Sequence, residues 1–301
     1  MSVPQLLSIN HETVYRYERP VTFSEHRALF RPRDSHDLRV IDARLTLSPP
    51  GNVRWIHDVF SNSIALITFD QAASELRFDS QIEIEHYGLH EPTLMVRAHA
   101  TTYPFRYDND QVVDLLPTLQ CHYPDPEGAV SAWARQFVDR GGIDTQDLLV
   151  RITHAIKAQF DYKERAIHGT QAPTETLALG SGTCRDFALF MIEAVRSLGM
   201  AARFVTGYLY DPSIDGAEEG MLGSGATHAW VQVYLPGAGW VEFDPTNGLV
   251  GGAHLIRVAV ARDPRQAIPL SGSYHGYASD FIEMKVDVRV KAGRLLTAGA
   301  A

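Results

Sequence analysis

The chain has 301 residues, 45% hydrophobic and 21% charged, which suits a globular protein with a real core and roughly two domains. That composition excludes disorder and collagen-like repeats, and two cysteines are too few for a disulfide scaffold. With 27 basic against 36 acidic residues the net charge is −9, no lysine precedes Lys157, and the arginines are scattered, so nucleic acid is not an expected partner. The first residues lack the basic and apolar regions of a signal peptide, and no apolar run reaches the roughly 18 residues of a membrane span. A cytoplasmic protein with reduced thiols, no membrane contact and no structural zinc is therefore expected.

The first hundred residues read as strands. Ile9, His11, Thr13, Tyr15 and Tyr17 share a face at period two, as do Ile41, Ala43, Leu45 and Leu47, then Leu76, Phe78, Ile82 and Ile84. An antiparallel sandwich or barrel-like unit is predicted over residues 1–110. The proline-containing stretch Pro104–Pro126 reads as the boundary, with a second unit over 111–301 that includes the closing strands. In it helices are expected at Pro126–Arg140, Asp144–Phe160 and after Gly180-Ser-Gly-Thr-Cys184, where Phe187, Phe190, Met191, Ala194, Val195 and Leu198 form an apolar stripe ended by Gly199. Strands follow at Arg203–Tyr210, Thr227–Leu235, Trp240–Asp244, Ile256–Ala261 and Phe281–Val290. The whole reads as α+β.

Cys184 is the most informative position. Thr183 is a good N-cap, which sets Cys184 at N1 and Asp186 at N3 as a capping-box variant. A thiol there sits at the positive end of the helix dipole, which favours thiolate, and the preceding Gly180 and Gly182 give a substrate room to approach. Cys121, in loop-like sequence, reads as an ordinary thiol. His228 begins a strand whose Ala229, Val231, Val233 and Leu235 form one apolar face, so it points to the other side with Trp230. Asp244 ends the partner strand. Cysteine, histidine and aspartate in that order supply a nucleophile, a base and an orienting acid. In an antiparallel hairpin paired positions have a constant sum. A three-residue loop, Pro236–Ala238, makes that sum even and sets His228 diagonal to Asp244 on one face.

The motifs Gly182-Thr-Cys-Arg-Asp-Phe-Ala188, His228-Ala-Trp-Val-Gln-Val233 and Gly239-Trp-Val-Glu-Phe-Asp-Pro-Thr246 resemble those of the transglutaminase-like superfamily of papain-like cysteine enzymes. His11-Glu-Thr-Val-Tyr-Arg-Tyr17 and Asn62 resemble the β-domain that precedes this core in bacterial members. The resemblance implies a papain-like core, with Cys184 as nucleophile, His228 as general base and acid, and Asp244 as orienting carboxylate. It also implies thioester chemistry on a peptide or protein substrate, hydrolytic or crosslinking, and some members keep the fold as binding modules; no cofactor or metal is expected, because Cys184 and His228 lack ligand partners at usable spacing. Tyr162, Gly182 and Trp230 are expected along the substrate cleft. The tail departs from the family pattern at Ala261-Arg-Asp-Pro264, where an aromatic usually follows the aspartate.

Overall fold

The computed structural model describes residues 4–87, 94–163, 169–212, 221–222 and 225–293. Six strands come first: β1 (Gln5–Phe23), β2 (His26–Ala28), β3 (Leu38–Ser48), β4 (Gly51–His57), β5 (Ser63–Phe69) and β6 (Ala73–His86). The helices α1 (Asn109–Leu119), α2 (Ala129–Arg135), α3 (Thr145–Gln159), α4 (Pro173–Leu179) and α5 (Cys184–Ser197) follow. Then come β7 (Ala202–Leu209), β8 (His228–Leu235), β9 (Gly239–Asp244), β10 (Leu255–Ala261) and β11 (Phe281–Ala292).

Alternation along β1 and β6 turns Ile9, Leu76, Phe78, Ile82 and Ile84 inward, each at most 2% exposed. β1, β3 and β6 form one antiparallel sheet in the order β1-β6-β3, while β2, β4 and β5 form a second in the order β2-β5-β4. Phe23, Phe30, Ile67 and Phe78 pack between the two as one apolar cluster. The expected face of β3 fails at Ile41. A bulge between Val40 and Asp42 leaves Ile41 out of the ladder and 48% exposed.

The third sheet runs β9-β8-β7-β10, all antiparallel, with Leu249–Val250 beyond β9. Ala229, Val231, Val233, Val241 and Phe243 form its inner face, against which Phe187, Phe190, Met191, Ala194 and Val195 of α5 pack. The first and third sheets meet through Leu7, Ile9 and Ile82 on one side and Tyr208, Ile256 and Val258 on the other. Asn62 adds a two-bond clasp, its amide donating to Val260 O (2.7 Å) and its carbonyl accepting from Val260 N (2.9 Å).

Three expectations are corrected. The closing strands, grouped by sequence with the second unit, return to the first: β11 pairs with β1 from Leu7↔Ala292 to Tyr17↔Phe281, and Leu270–Ser271 pairs with β2. The boundary stretch contains α1, capped by Asp108 with Gln111 and carrying Pro117 within it. The helix expected over Pro126–Arg140 is the shorter α2. Asp144 caps α3 as expected, accepting from Gln146 N and Asp147 N. At the tail, Asp263 is 1% exposed and caps the turn Pro264–Gln266.

Candidate active site

Gly180 closes α4 with φ of 56°, a left-handed conformation that glycine tolerates. Ser181–Gly182 then runs parallel to Asp161–Tyr162 and delivers the chain to Thr183, the N-cap of α5. Asp186, wholly buried at N3, accepts from Thr183 N (2.8 Å), Thr183 Oγ1 (2.9 Å) and Gln171 N (2.7 Å). Its expected capping role is present, and it also fastens the chain around Gln171. Gly182 is dictated by this carboxylate: a Cβ there would meet Asp186 Cβ at 2.8 Å and Gln171 Oε1 at 3.0 Å. Cys184 opens the helix at 7% exposure.

The β8–β9 hairpin pairs Val231 with Phe243 and Leu235 with Gly239, the even sum that a three-residue loop requires. His228 Nε2 lies 2.8 Å from Asp244 Oδ2, both side chains fully buried. Asp244 also accepts from Thr246 N (2.9 Å) and Asn247 Nδ2 (2.9 Å), so the Asp-Pro-Thr-Asn turn serves to aim its carboxylate. Burial opposes charge on Asp244, but the His228 ring and these donors outweigh it and hold its carboxyl below the usual range. An ionised Asp244 only accepts, which puts a proton on His228 Nε2.

Burial likewise pushes the His228 ring down; the Asp244 charge and hydrogen bond, joined by Cys184, win and raise it. Nδ1 has no hydrogen-bond partner among the described residues.

Tyr162 pairs with Gly182 and its ring meets Phe187 edge-on at 6.4 Å, beside the start of α5. Trp230 is corrected as a cleft wall. It is fully buried, stacked on the His228 ring at 6.0 Å, and its Nε1 donates to Glu242 at 2.5 Å. With no solvent-exposed surface, Trp230 packs against the histidine ring. Cys121 is exposed and bonds weakly to Glu193 O, away from this group. Half of the Gly220–Gly225 loop expected before His228, residues 220, 223 and 224, lies outside the described residues.

Sequence reasoning missed Asn247, Gln171 and Glu242. The first follows Asp244 by three residues in a turn motif, and the last shares its face by alternation, so both were open to discovery. Gln171 carries no such signal.

Residues 131–245 match the transglutaminase-like superfamily, and residues 7–85 match the bacterial transglutaminase-like N-terminal region. The chain belongs to the transglutaminase-like superfamily, in its bacterial arrangement with an N-terminal β region. It is 28% identical over 291 residues to an uncharacterized protein of Mycobacterium tuberculosis (strain ATCC 25618 / H37Rv), covering 93% of this chain and 91% of that one. With an uncharacterized protein of Mycobacterium leprae (strain TN) identity is 27%, over 94% of this chain and 98% of the relative. A crystal structure from Cytophaga hutchinsonii, provisionally called a cysteine protease, has the same fold, with a TM-score of 0.71 at 19% identity over 97% of this chain and 93% of that one. No helix among the described residues is long and apolar enough to cross a membrane.

Proposed function

We propose that the protein is a cysteine-dependent acyl-transfer enzyme acting on peptide or amide bonds, with water as its ordinary acceptor. The observation that carries this reading is the fully buried His228–Asp244 bond, with the helix-borne Cys184 acting on the same ring. In the reaction the Cys184 thiolate attacks the carbonyl carbon, and backbone N–H groups at the start of α5 hold the oxyanion. The imidazolium gives its proton to the departing amine, leaving a thioester. His228 then takes a proton from water as its oxygen attacks the thioester, and Cys184 leaves as thiolate with the acid product. Asp244 keeps the ring oriented throughout and stabilises it whenever it is charged. The provisional description of the Cytophaga hutchinsonii protein as a cysteine protease supports hydrolysis over crosslinking. Two free cysteines suit a reducing compartment such as the cytoplasm.

Turnover on a peptide library, with and without a primary amine, tests the reading. Hydrolysis that amine does not divert, abolished by Cys184→Ala, is expected. Amine incorporation that dominates would make it a crosslinking enzyme. Intact mass after a thiol-directed peptide electrophile should show one label on Cys184; labelling no faster than free cysteine would make the protein a binding module.

A further inference from the structure

A second cavity, of about 820 Å³, opens on the same face of the third sheet that carries His228 and Asp244, against the first β region. Neither Cys184 nor His228 lines it, and Trp230 with Glu242 stands between. Its volume lies in the range of small-molecule sites, roughly 300–1,000 Å³.

Among the described residues its wall carries two guanidinium groups without an ion pair, the solvent-exposed Arg33 and the more buried Arg203. Arg257 is held by Glu242 (2.8 Å) and Asp37 (3.2 Å), Asp34 accepts from Val40 N (2.8 Å), and Arg33 donates to Ser61 O (2.7 Å). Arg203 lies over the Trp240 ring at 4.0 Å and spends its Nε on Gln232 Oε1 at 2.7 Å. Among the described residues no carboxylate lies within ion-pair distance of it. Burial with too little compensating charge pulls this guanidinium down to about 10, against the nearby Arg257 and Arg33.

We propose that this cavity binds a carboxylic acid with an apolar body, such as the carboxyl end of a short peptide. The free terminal nitrogens of Arg203 match the planar fork of a carboxylate. Phe60, Leu94 and Val258 line the space beside them and suit an apolar side chain. A doubly charged phosphate fits less well, because the three guanidinium groups of the wall, Arg33, Arg203 and Arg257, already stand beside as many carboxylates, Asp34, Asp37 and Glu242, and a second negative charge would tip that balance.

Calorimetry on the full-length Cys184→Ala protein tests this apart from catalysis, with N-acetyl-phenylalanine, its amide and inorganic phosphate as probes. The acid should bind at least about tenfold more tightly than the amide or phosphate, since charge-assisted forks are roughly twice as strong as neutral bonds. Arg203→Gln should erase that preference. Gly252, also on the wall, offers an independent variant, because a Cβ there meets only Glu242 Cγ at 3.7 Å. Gly252→Phe should therefore fill the cavity and abolish binding while the melting transition is kept. Equal binding of acid and amide, tighter binding of phosphate, no binding of the acid at millimolar concentration, or unchanged binding in Gly252→Phe would each overturn the proposal. If Arg203→Gln does not fold, the Gly252 variant decides alone.

Discussion

His11 in the first β region and His228 in the third sheet are each 1% exposed, yet their neighbours drive them in opposite directions. His11 Nδ1 faces the Tyr208 hydroxyl at 3.0 Å and Nε2 faces Thr13 Oγ1 at 3.2 Å. Tyr208 gives its own proton to Phe30 O (3.1 Å), so a neutral His11 ring donating from Nδ1 satisfies every partner. Burial then lowers it to about 4. His228 suffers the same burial, but one ionised carboxylate reverses the outcome. His11, which cements two sheets, is surrounded by hydroxyls; His228 is given an acid.

The largest break in this comparison is Asp244→Asn. His228 should then titrate as His11 does, below its ordinary range, and turnover should fall by about 10³-fold or more. Imidazole NMR and kinetics read the two effects, and a ring still charged at neutral pH would refute the role given to Asp244. The converse is Thr13→Asp, which sets a carboxylate beside His11 and should lift its ring from about 4 to above 6.5 in the same NMR titration. No upward movement would mean that burial, more than the missing acid, governs His11.

Stability follows the same signs in smaller measure. His11 is depressed when folded, so the unfolded chain takes up its proton first, and stability is lost as pH falls from about 6.5 toward about 4. Between pH 7 and pH 5 the loss is about 2 kcal/mol. Urea unfolding of His11→Gln at the two pH values should show an acid loss smaller by that amount, and an equal slope would be evidence against it. His228 runs the other way: its raised ring contributes below about pH 6.5 and the contribution fades as pH climbs through the folded value. The smallest effect is expected from Cys121→Ala, an exposed thiol whose removal should change activity less than twofold and stability by at most about 0.5 kcal/mol.

Much of the geometry around His228 was legible because it is local. Strand alternation and a loop of three residues between Leu235 and Gly239 decide the relation of His228 to Asp244 without any distant contact. The N-cap at Thr183 and the stop at Gly199, with φ of 79°, are equally short-range. Long-range choices were not legible. Phe281–Ala292 alternates like any strand, and nothing in its residues says whether β1 or the third sheet receives it. α1 was hidden in the proline-containing stretch read as the boundary, although the helix accommodates Pro117 close to its end. Trp230 misled because alternation reports a face without reporting whether that face is covered, and here the first β region, with β10, covers it.

The ladder between β1 and β11 joins partners as far apart as residues 7 and 292. On a ribosome adding about 5–20 residues per second, β1 emerges a quarter of a minute to a minute before that partner exists. For that interval the nascent first sheet presents a bare strand edge to every other chain nearby. Charged positions along β1, among them Arg16 and Arg19, later find Glu283 and Asp280. Before those partners arrive they act as guards against edge-to-edge association, so the same side chains that fasten the finished sheet keep the unfinished one soluble.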